Sequence, residues 1–318
     1  MSSKHSSSSN RPADKTIGAN KTSTGEQANN ANVPAGEKPE AALYLVATPI
    51  GNMGDITDRA KKILAAADLI ACEDTRVTRK LVQAFGFTAP LIAYHEHNAD
   101  KVRPILIEKV KKGNVVALVS DAGTPLISDP GYKLANTAIE EGIGLTSIPG
   151  ASAPITALTL SGLPTDRFFF NGFLPNKTGA RCKSLKELVS IPSTLIFFES
   201  THRLAGSLAD MTAVLGNRPA AVTRELTKMF EEVRRGTLQE LADHYEKAGN
   251  PKGEIVVVVG PPAAETVELS QSDLDAQIKD ALQHNSLRDA AALVSTITGL
   301  PKKKVYQRAL ELSKENQK

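Results

Sequence analysis

"VALVSDAGTPLISDPGY", residues 116–132, begins as a run of four apolar residues and breaks into a loop holding two aspartates, two prolines and two glycines. A short continuous apolar run bounded by turn residues reads as a strand buried on both faces, the kind found in parallel sheets. The carboxyl end of such a strand opens on the crevice where open α/β sheets bind their ligands, which places Asp121 at a ligand-facing position.

Outward from this strand, β-rich runs alternate with segments of helical period. "LYLVATP", "LIAC" and "PLIAY" read as strands, and so does "LTSI" at 145–148. Between them Ile56, Ala60, Ile63, Leu64 and Ala67 share one helical face, as do Val77, Leu81, Val82 and Phe85, then Val102, Ile105, Leu106 and Val110. Gly86 and Gly113 stand where helices stop. This alternation predicts a mostly parallel sheet covered by helices, spanning residues 41–165. A second, similar series from "RFFFNGF" to "EIVVVVG" predicts another α/β domain over 166–262. Beyond the linker "GPPAAETVELS" a small helical unit is expected over 271–318. Residues 1–40, rich in Ser, Asn, Lys and Thr, lack the large apolar side chains that offset the entropy of ordering, so a disordered tail is expected there.

Composition narrows the function classes. The 318 residues are 41% hydrophobic and 23% charged, with a net charge of +3, which neither requires nor opposes a nucleic-acid partner. The two cysteines, Cys72 and Cys182, have no metal-ligand spacing, so no metal site is expected and a reducing compartment is the default. No segment has the apolar length of a membrane span or a secretory leader, which gives the expectation of a soluble, cytoplasmic protein without membrane association.

The loop after Val119 carries neither GxxxxGK[ST] nor GxGxxG, so nucleotide phosphates are not favoured. An acidic loop suits a ligand with hydroxyls or positive charge, and S-adenosylmethionine has ribose hydroxyls, an ammonium and a sulfonium. The structural alternative is that Asp121 and Asp129 cap turns, a role that Asp129, before Pro130 and Gly131, fits better.

Several stretches together resemble the ribosomal small-subunit RNA methyltransferase I family of the tetrapyrrole methylase superfamily: "LYLVATPIGNMGDIT" at 43–57, "ACEDTR" at 71–76, "ALVSDAGTPLISDPG" at 117–131, "IPGASAPITAL" at 148–158, "SGLPTDRFFFNGFLP" at 161–175 and "FFESTHR" at 197–203. The resemblance implies a two-domain fold with the cofactor, S-adenosylmethionine, in the cleft between domains. It also implies 2′-O-methylation of a cytidine ribose in the decoding region of small-subunit rRNA, with the assembled small ribosomal subunit as partner and a homodimer as the working form. It points to Asp121, Ala122, Gly123, Thr124 and Pro125 as cofactor contacts, with Ser152 and Ala153 closing over them and Phe198 and Leu226 near the adenine and methionine parts. Where tetrapyrrole methylases open with a glycine-rich loop, this chain has "ATPIGNMGD" with Pro49 and Gly51, a departure that speaks for an RNA over a porphyrinoid substrate.

A ribose hydroxyl becomes a nucleophile when its proton is taken or its charge stabilised. The candidates for this task are Glu73, Asp74, Glu199, His202 and Glu225, each of which has an alternative as a cap. Arg76, Arg79, Lys80, Arg203, Arg224 and Lys228 follow strand ends and are candidate phosphate contacts. In the last unit, Ser286 and Asp289 form a capping pattern and the chain turns at Gly299–Pro301. A basic helix with Lys302, Lys303, Lys304 and Arg308 then resembles the second helix of a helix-turn-helix that docks on RNA. Two other readings stay open at this point: a small-molecule tetrapyrrole-type methyltransferase, and a ribosome-binding assembly factor without catalysis.

Overall fold

The computed structural model describes residues 38–263 and 271–315. Residues 1–37 of the expected tail and 264–270 of the expected linker lie outside these residues.

The first layer alternates strand and helix: β1 (Leu43–Val46), α1 (Asp58–Ala66), β2 (Leu69–Cys72), α2 (Thr75–Phe85), β3 (Leu91–Ala93), α3 (Ala99–Lys111), β4 (Val116–Val119), α4 (Tyr132–Glu140) and β5 (Leu145–Ile148). The strands form one parallel sheet in the order β3-β2-β4-β1-β5. Successive side chains point to opposite faces, so Tyr44, Val46 and Ile70 pack with Ile63, Leu64 and Leu81 on one side, while Leu43, Leu69 and Leu118 pack with Leu106, Val110 and Leu134 on the other. The strand order reverses between β1 and β4, and the crevice of an open α/β sheet lies at such a reversal. There the loops following β1 and β4 are joined by a backbone pair, Thr48 N–H to Gly123 carbonyl at 2.9 Å and Gly123 N–H to Thr48 carbonyl at 3.0 Å.

The second layer comprises α5 (Ala153–Ser161), β6 (Phe168–Phe173), α6 (Thr178–Lys186), β7 (Thr194–Glu199), α7 (Leu204–Leu215), β8 (Pro219–Arg224), β9 (Glu232–Thr237), α8 (Leu238–Ala248) and β10 (Ile255–Val259). Its sheet, ordered β6-β7-β10-β8-β9, is not a repeat of the first: β6 and β7 are parallel, but β10 runs antiparallel to both β7 and β8, and β8 runs antiparallel to β9. The 225–231 loop between β8 and β9 is short enough to make a hairpin, whereas a parallel neighbour would need a crossover helix. On one face α6, α7 and α8 bury Leu185, Leu204, Leu208, Met211 and Leu241 against Phe197 and Val257. The other face is covered by α5, whose Ala157 and Leu158 pack with Ile196, Val256, Val258 and the first layer's Ile50. Helix α5, which lies within the span 41–165 expected for the first domain, packs against the second sheet.

The C-terminal unit has one helix more than the expected pair: α9 (Gln271–His284), α10 (Leu287–Thr298) and α11 (Lys302–Glu315). The Ser286 hydroxyl accepts from the Asp289 N–H to begin α10, and Gly299, at φ 69°, ends it in the left-handed conformation. Leu274, Ile278, Ala290, Val294, Val305 and Leu312 form the core of this unit. No helix among the described residues is long and apolar enough to cross a membrane.

Candidate active site

The loop after β4, the start of α5 and the strand ends of the second sheet enclose a cleft of about 470 Å³. Asp121, Ala122, Gly123, Thr124, Ser128 and Asp129 form one wall, Ser152, Ala153 and Pro154 the floor, and Phe198, Leu226 and residues 253–256 the facing wall. Gly123 has φ +79°, and a Cβ there would stand 3.1 Å from Ile50, so the close approach of the two loops requires glycine. The Thr124 hydroxyl donates to the Ala151 carbonyl at 3.0 Å and fastens the loop to the entry of α5. Ser152, the N-cap of α5, makes no side-chain cap to its own helix and faces the cleft instead.

This wall is acidic. Burial pushes the Asp129 carboxyl up to about 6, and the neighbouring Glu73 carboxylate adds to the effect. Burial also raises Asp121, although the Asp74 N–H, which donates to its Oδ1 at 3.0 Å, partly offsets this. Glu73 is raised by burial and then by Asp121. Like charges held together in a half-buried site each oppose the other's ionisation, and a cationic ligand would relieve all three.

A second cavity of about 370 Å³ adjoins the first and shares Ile50, Asp121, Ala122 and Glu254 with it. Its walls are the loop after β1 (Thr48, Pro49, Gly51, Met53), the inner side of α2 (Val77, Thr78, Lys80, Leu81) and Lys228. The Lys228 ammonium is held between the carboxylates of Glu225, at 2.8 Å, and Glu254, at 2.9 Å.

Of the expected cofactor contacts, Asp121, Ala122, Gly123, Thr124, Ser152, Ala153, Phe198 and Leu226 come together around the larger cleft. Pro49 and Gly51 face the smaller cavity, and Pro125 is buried and lines neither. Asp129, expected to cap, does not: the N-cap of α4 is Gly131 with no side-chain cap, and Asp129 faces the cleft.

The candidate bases fare differently. The Asp74 carboxylate accepts from the Arg76 backbone at 2.8 Å and pairs with its guanidinium at 2.6 Å, which holds it down at about 2 and makes it the N-cap of α2. Glu199 is buried at the wall of the larger cleft, where its Oε1 accepts from the Ser200 N–H and the Arg203 guanidinium at 2.6 Å and its Oε2 from the Ser207 hydroxyl at 2.5 Å, which ties it into the protein's own ion pair. His202 is exposed on the 3-10 turn Thr201–Arg203, and Glu73 lines neither cavity. Glu225 is held below its ordinary range by the hydrogen bond from Lys228.

Among the candidate cations, Arg203 is committed to Glu199 and the Leu174 carbonyl, and Arg224 to Glu232 and the Lys252 carbonyl. Arg308 packs its guanidinium on Asp275 at 2.6 Å and on Glu311 at 2.7 Å. Arg76, Arg79, Lys80, Lys302, Lys303 and Lys304 stand exposed. The sequence reading missed residues 253–256. Because β10 is antiparallel to its neighbours, its amino end lies beside their carboxyl ends, and the glycine before it was the available signal: Gly253, at φ +99°, has its missing Cβ position only 2.3 Å from the Glu225 side chain.

Residues 42–242 match the family model for Tetrapyrrole (Corrin/Porphyrin) Methylases, and residues 268–313 match that for the RsmI C-terminal HTH domain. Over 274 residues the chain is 54% identical to Ribosomal RNA small subunit methyltransferase I of Mesorhizobium japonicum, covering 86% of this chain and 92% of that protein. It is 46% identical to the protein of the same name from Escherichia coli O157:H7 over 278 residues, 86% of this chain and 96% of that one. Among solved structures, a cobalt precorrin-4 methyltransferase matches the fold with a TM-score of 0.54 at 18% identity, over 69% of this chain and 95% of that one. The chain therefore belongs to the tetrapyrrole methylase family and, within it, groups with the ribosomal RNA small subunit methyltransferases I.

Proposed function

We propose that the protein is an S-adenosylmethionine-dependent methyltransferase that modifies the 2′-oxygen of a cytidine ribose in the decoding region of small-subunit rRNA. The observation that carries the reading is the pairing of two cavities at a shared acidic junction: an acid-walled cleft suited to a cationic, hydroxyl-bearing ligand, and an adjoining cavity that shares Asp121 and Glu254 with it.

The residues present fit the cofactor. Asp121 and Asp129 provide negative charge toward an ammonium and a sulfonium, Ser152 and the backbone of residues 122–124 provide polar contacts, and Ile50, Phe198 and Leu226 provide apolar surface for an adenine. When bound, S-adenosylmethionine supplies an electrophilic methyl carbon. The chain's own part is to hold the acceptor ribose in line and exclude water, which supplies much of the rate in a transfer of this kind. At the junction Asp121, its carboxyl raised by burial, accepts the proton of the ribose hydroxyl, and the Lys228 ammonium, fixed by Glu225 and Glu254, stabilises the negative charge developing on the oxygen.

The working partner is the assembled small subunit, with the exposed lysines of α11 as phosphate contacts. The working form is a cytoplasmic homodimer. The exposed Phe168 and Phe169 on edge strand β6 support self-association, since unpaired edges with apolar side chains invite pairing.

The test is methyl transfer from labelled S-adenosylmethionine into small subunits from a strain lacking this protein, with the modified ribose mapped and naked rRNA as a parallel substrate. A single labelled 2′-oxygen, lost in Asp121→Ala, is the expected result. Tight subunit binding with no label would overturn the enzyme reading in favour of an assembly factor.

A further inference from the structure

The loop 225–231 between β8 and β9 sends two apolar side chains into solvent: Met229 is 90% exposed and Phe230 66%. Its backbone holds two non-glycine residues in the left-handed region, Glu225 at φ 50° and Thr227 at φ 66°. Such conformations persist where the surroundings over-determine them. Here the Thr227 N–H donates to the Glu231 carboxylate at 2.6 Å, and Lys228 is tied to Glu225 and Glu254. The tip is thus held out by its own bonds.

Lys228 lines the smaller cavity, and Met229 and Phe230 follow it directly in the chain. The same cavity is lined by α2, which carries the exposed Arg79 and Lys80 and no carboxylate between Thr75 and Phe85, while Arg76 is paired with the N-cap Asp74. Met53 and Val77, both partly exposed, add apolar surface to the cavity wall. The buried Thr78 hydroxyl, on the same wall, has no nitrogen or oxygen partner. A mouth with an apolar tip on one side and a cationic helix on the other matches a nucleic-acid strand, which offers flat apolar bases on one edge and phosphates on the other.

On the methyltransferase reading given above, we infer that Met229 and Phe230 form a wedge that stacks on a base of the rRNA next to the acceptor nucleotide and keeps that nucleotide turned out toward the smaller cavity. Turning a nucleotide out of its stack costs a few kcal/mol, and an inserted apolar side chain offsets that loss by occupying the vacated face. Phosphates of the same strand lie along Arg79 and Lys80.

The test measures equilibrium binding of the full-length protein to small subunits isolated from a strain lacking it, without cofactor, so that the result does not depend on methyl transfer taking place. Phe230→Ala is expected to weaken binding by about tenfold or more, the loss of one base–aromatic stack. Phe230→Tyr, which keeps the ring, is expected to bind like the parent. Affinity for S-adenosylmethionine, followed by calorimetry, and sedimentation of the free protein are expected to be the same for all three. Unchanged subunit binding in Phe230→Ala would overturn the wedge, as would conversion of a dimer to a monomer, which would make the tip an interface between two copies. Failure of methyl transfer by the parent protein would count against the enzyme reading while leaving the binding comparison intact.

Discussion

Replacing Asp129 by asparagine is expected to make the ligand-free protein more stable and a poorer binder of its cofactor. Burial, with help from Glu73, raises the Asp129 carboxyl from its ordinary 3.8 to about 6. The sign follows from linkage. Below the ordinary value the group is protonated in both folded and unfolded chains and costs nothing. As pH rises through the range up to about 6, the unfolded chain loses the proton while the folded one retains it, so stability falls with pH until the folded group also ionises. A rise of this size corresponds to at most about 3 kcal/mol above neutral pH, since one pH unit is worth about 1.4 kcal/mol. Asp129→Asn removes that cost. Urea unfolding of the ligand-free protein, followed by circular dichroism, should show the variant gaining on the parent between pH 4 and 6 and exceeding it by about 1–3 kcal/mol at pH 7.5. Calorimetry should show weaker binding of S-adenosylmethionine by the variant, and proton release on binding to the parent near pH 6. A difference between variant and parent that does not grow between pH 4 and 6, or a variant no more stable at pH 7.5, would refute the reasoning.

Other substitutions probe the remaining parts. Asp121→Ala, which removes one of the two carboxylates common to both cavities and leaves Glu254 tied to Lys228, should abolish methyl transfer and lower cofactor affinity by about tenfold or more in a direct titration. Glu199→Gln should cost about 3–5 kcal/mol of stability because it leaves the Arg203 guanidinium without its buried partner; the kcat of the protein that remains folded should stay close to that of the parent, the reverse of what a catalytic base would show. Gly253→Ala forces a left-handed residue and a Cβ contact of 2.3 Å onto Glu225, and it should destabilise the protein by about 1–3 kcal/mol while loosening cofactor binding. Changing Lys302, Lys303 and Lys304 together to glutamine should reduce the slope of log affinity for small subunits against log salt by about 2–3, with cofactor binding unchanged.

The parts of the fold legible in the sequence are those where local pattern and tertiary role coincide. The strand Val116–Val119 and its loop could be read because an unbroken apolar run and a cluster of Asp, Gly and Pro have one shared explanation. The strand at Leu69–Cys72, the stop at Gly86 and the Ser286 cap were equally direct. Strand direction was not. β10 is buried on both faces, so its uniform sequence "IVVVV" has no alternation and nothing to mark it as antiparallel, and the contribution of residues 253 and 254 to the cleft stayed hidden with it. Helix α5 is apolar nearly all round, which announces burial without naming the sheet that buries it. Asp129 precedes Pro and Gly as many caps do, and only the path of the backbone reveals that it turns toward the cleft. The fate of Glu199 was within reach: Arg203 stands four residues later, the spacing of an ion pair.

The destination of α5 sets how the molecule can be taken apart. A cut at 162–167 would leave the upstream piece ending in a helix with no sheet beneath it, and the downstream piece with Ile196, Val256 and Val258 bare to water. Neither fragment would be a finished module, and each carries the surface that the other lacks. Because Ser152 and Ala153 enter the cleft from the same helix, the fragments would recover the donor site only on rejoining. The protein is in this sense a built-in complementation pair, in which affinity for the methyl donor reports directly on whether its two pieces have found each other.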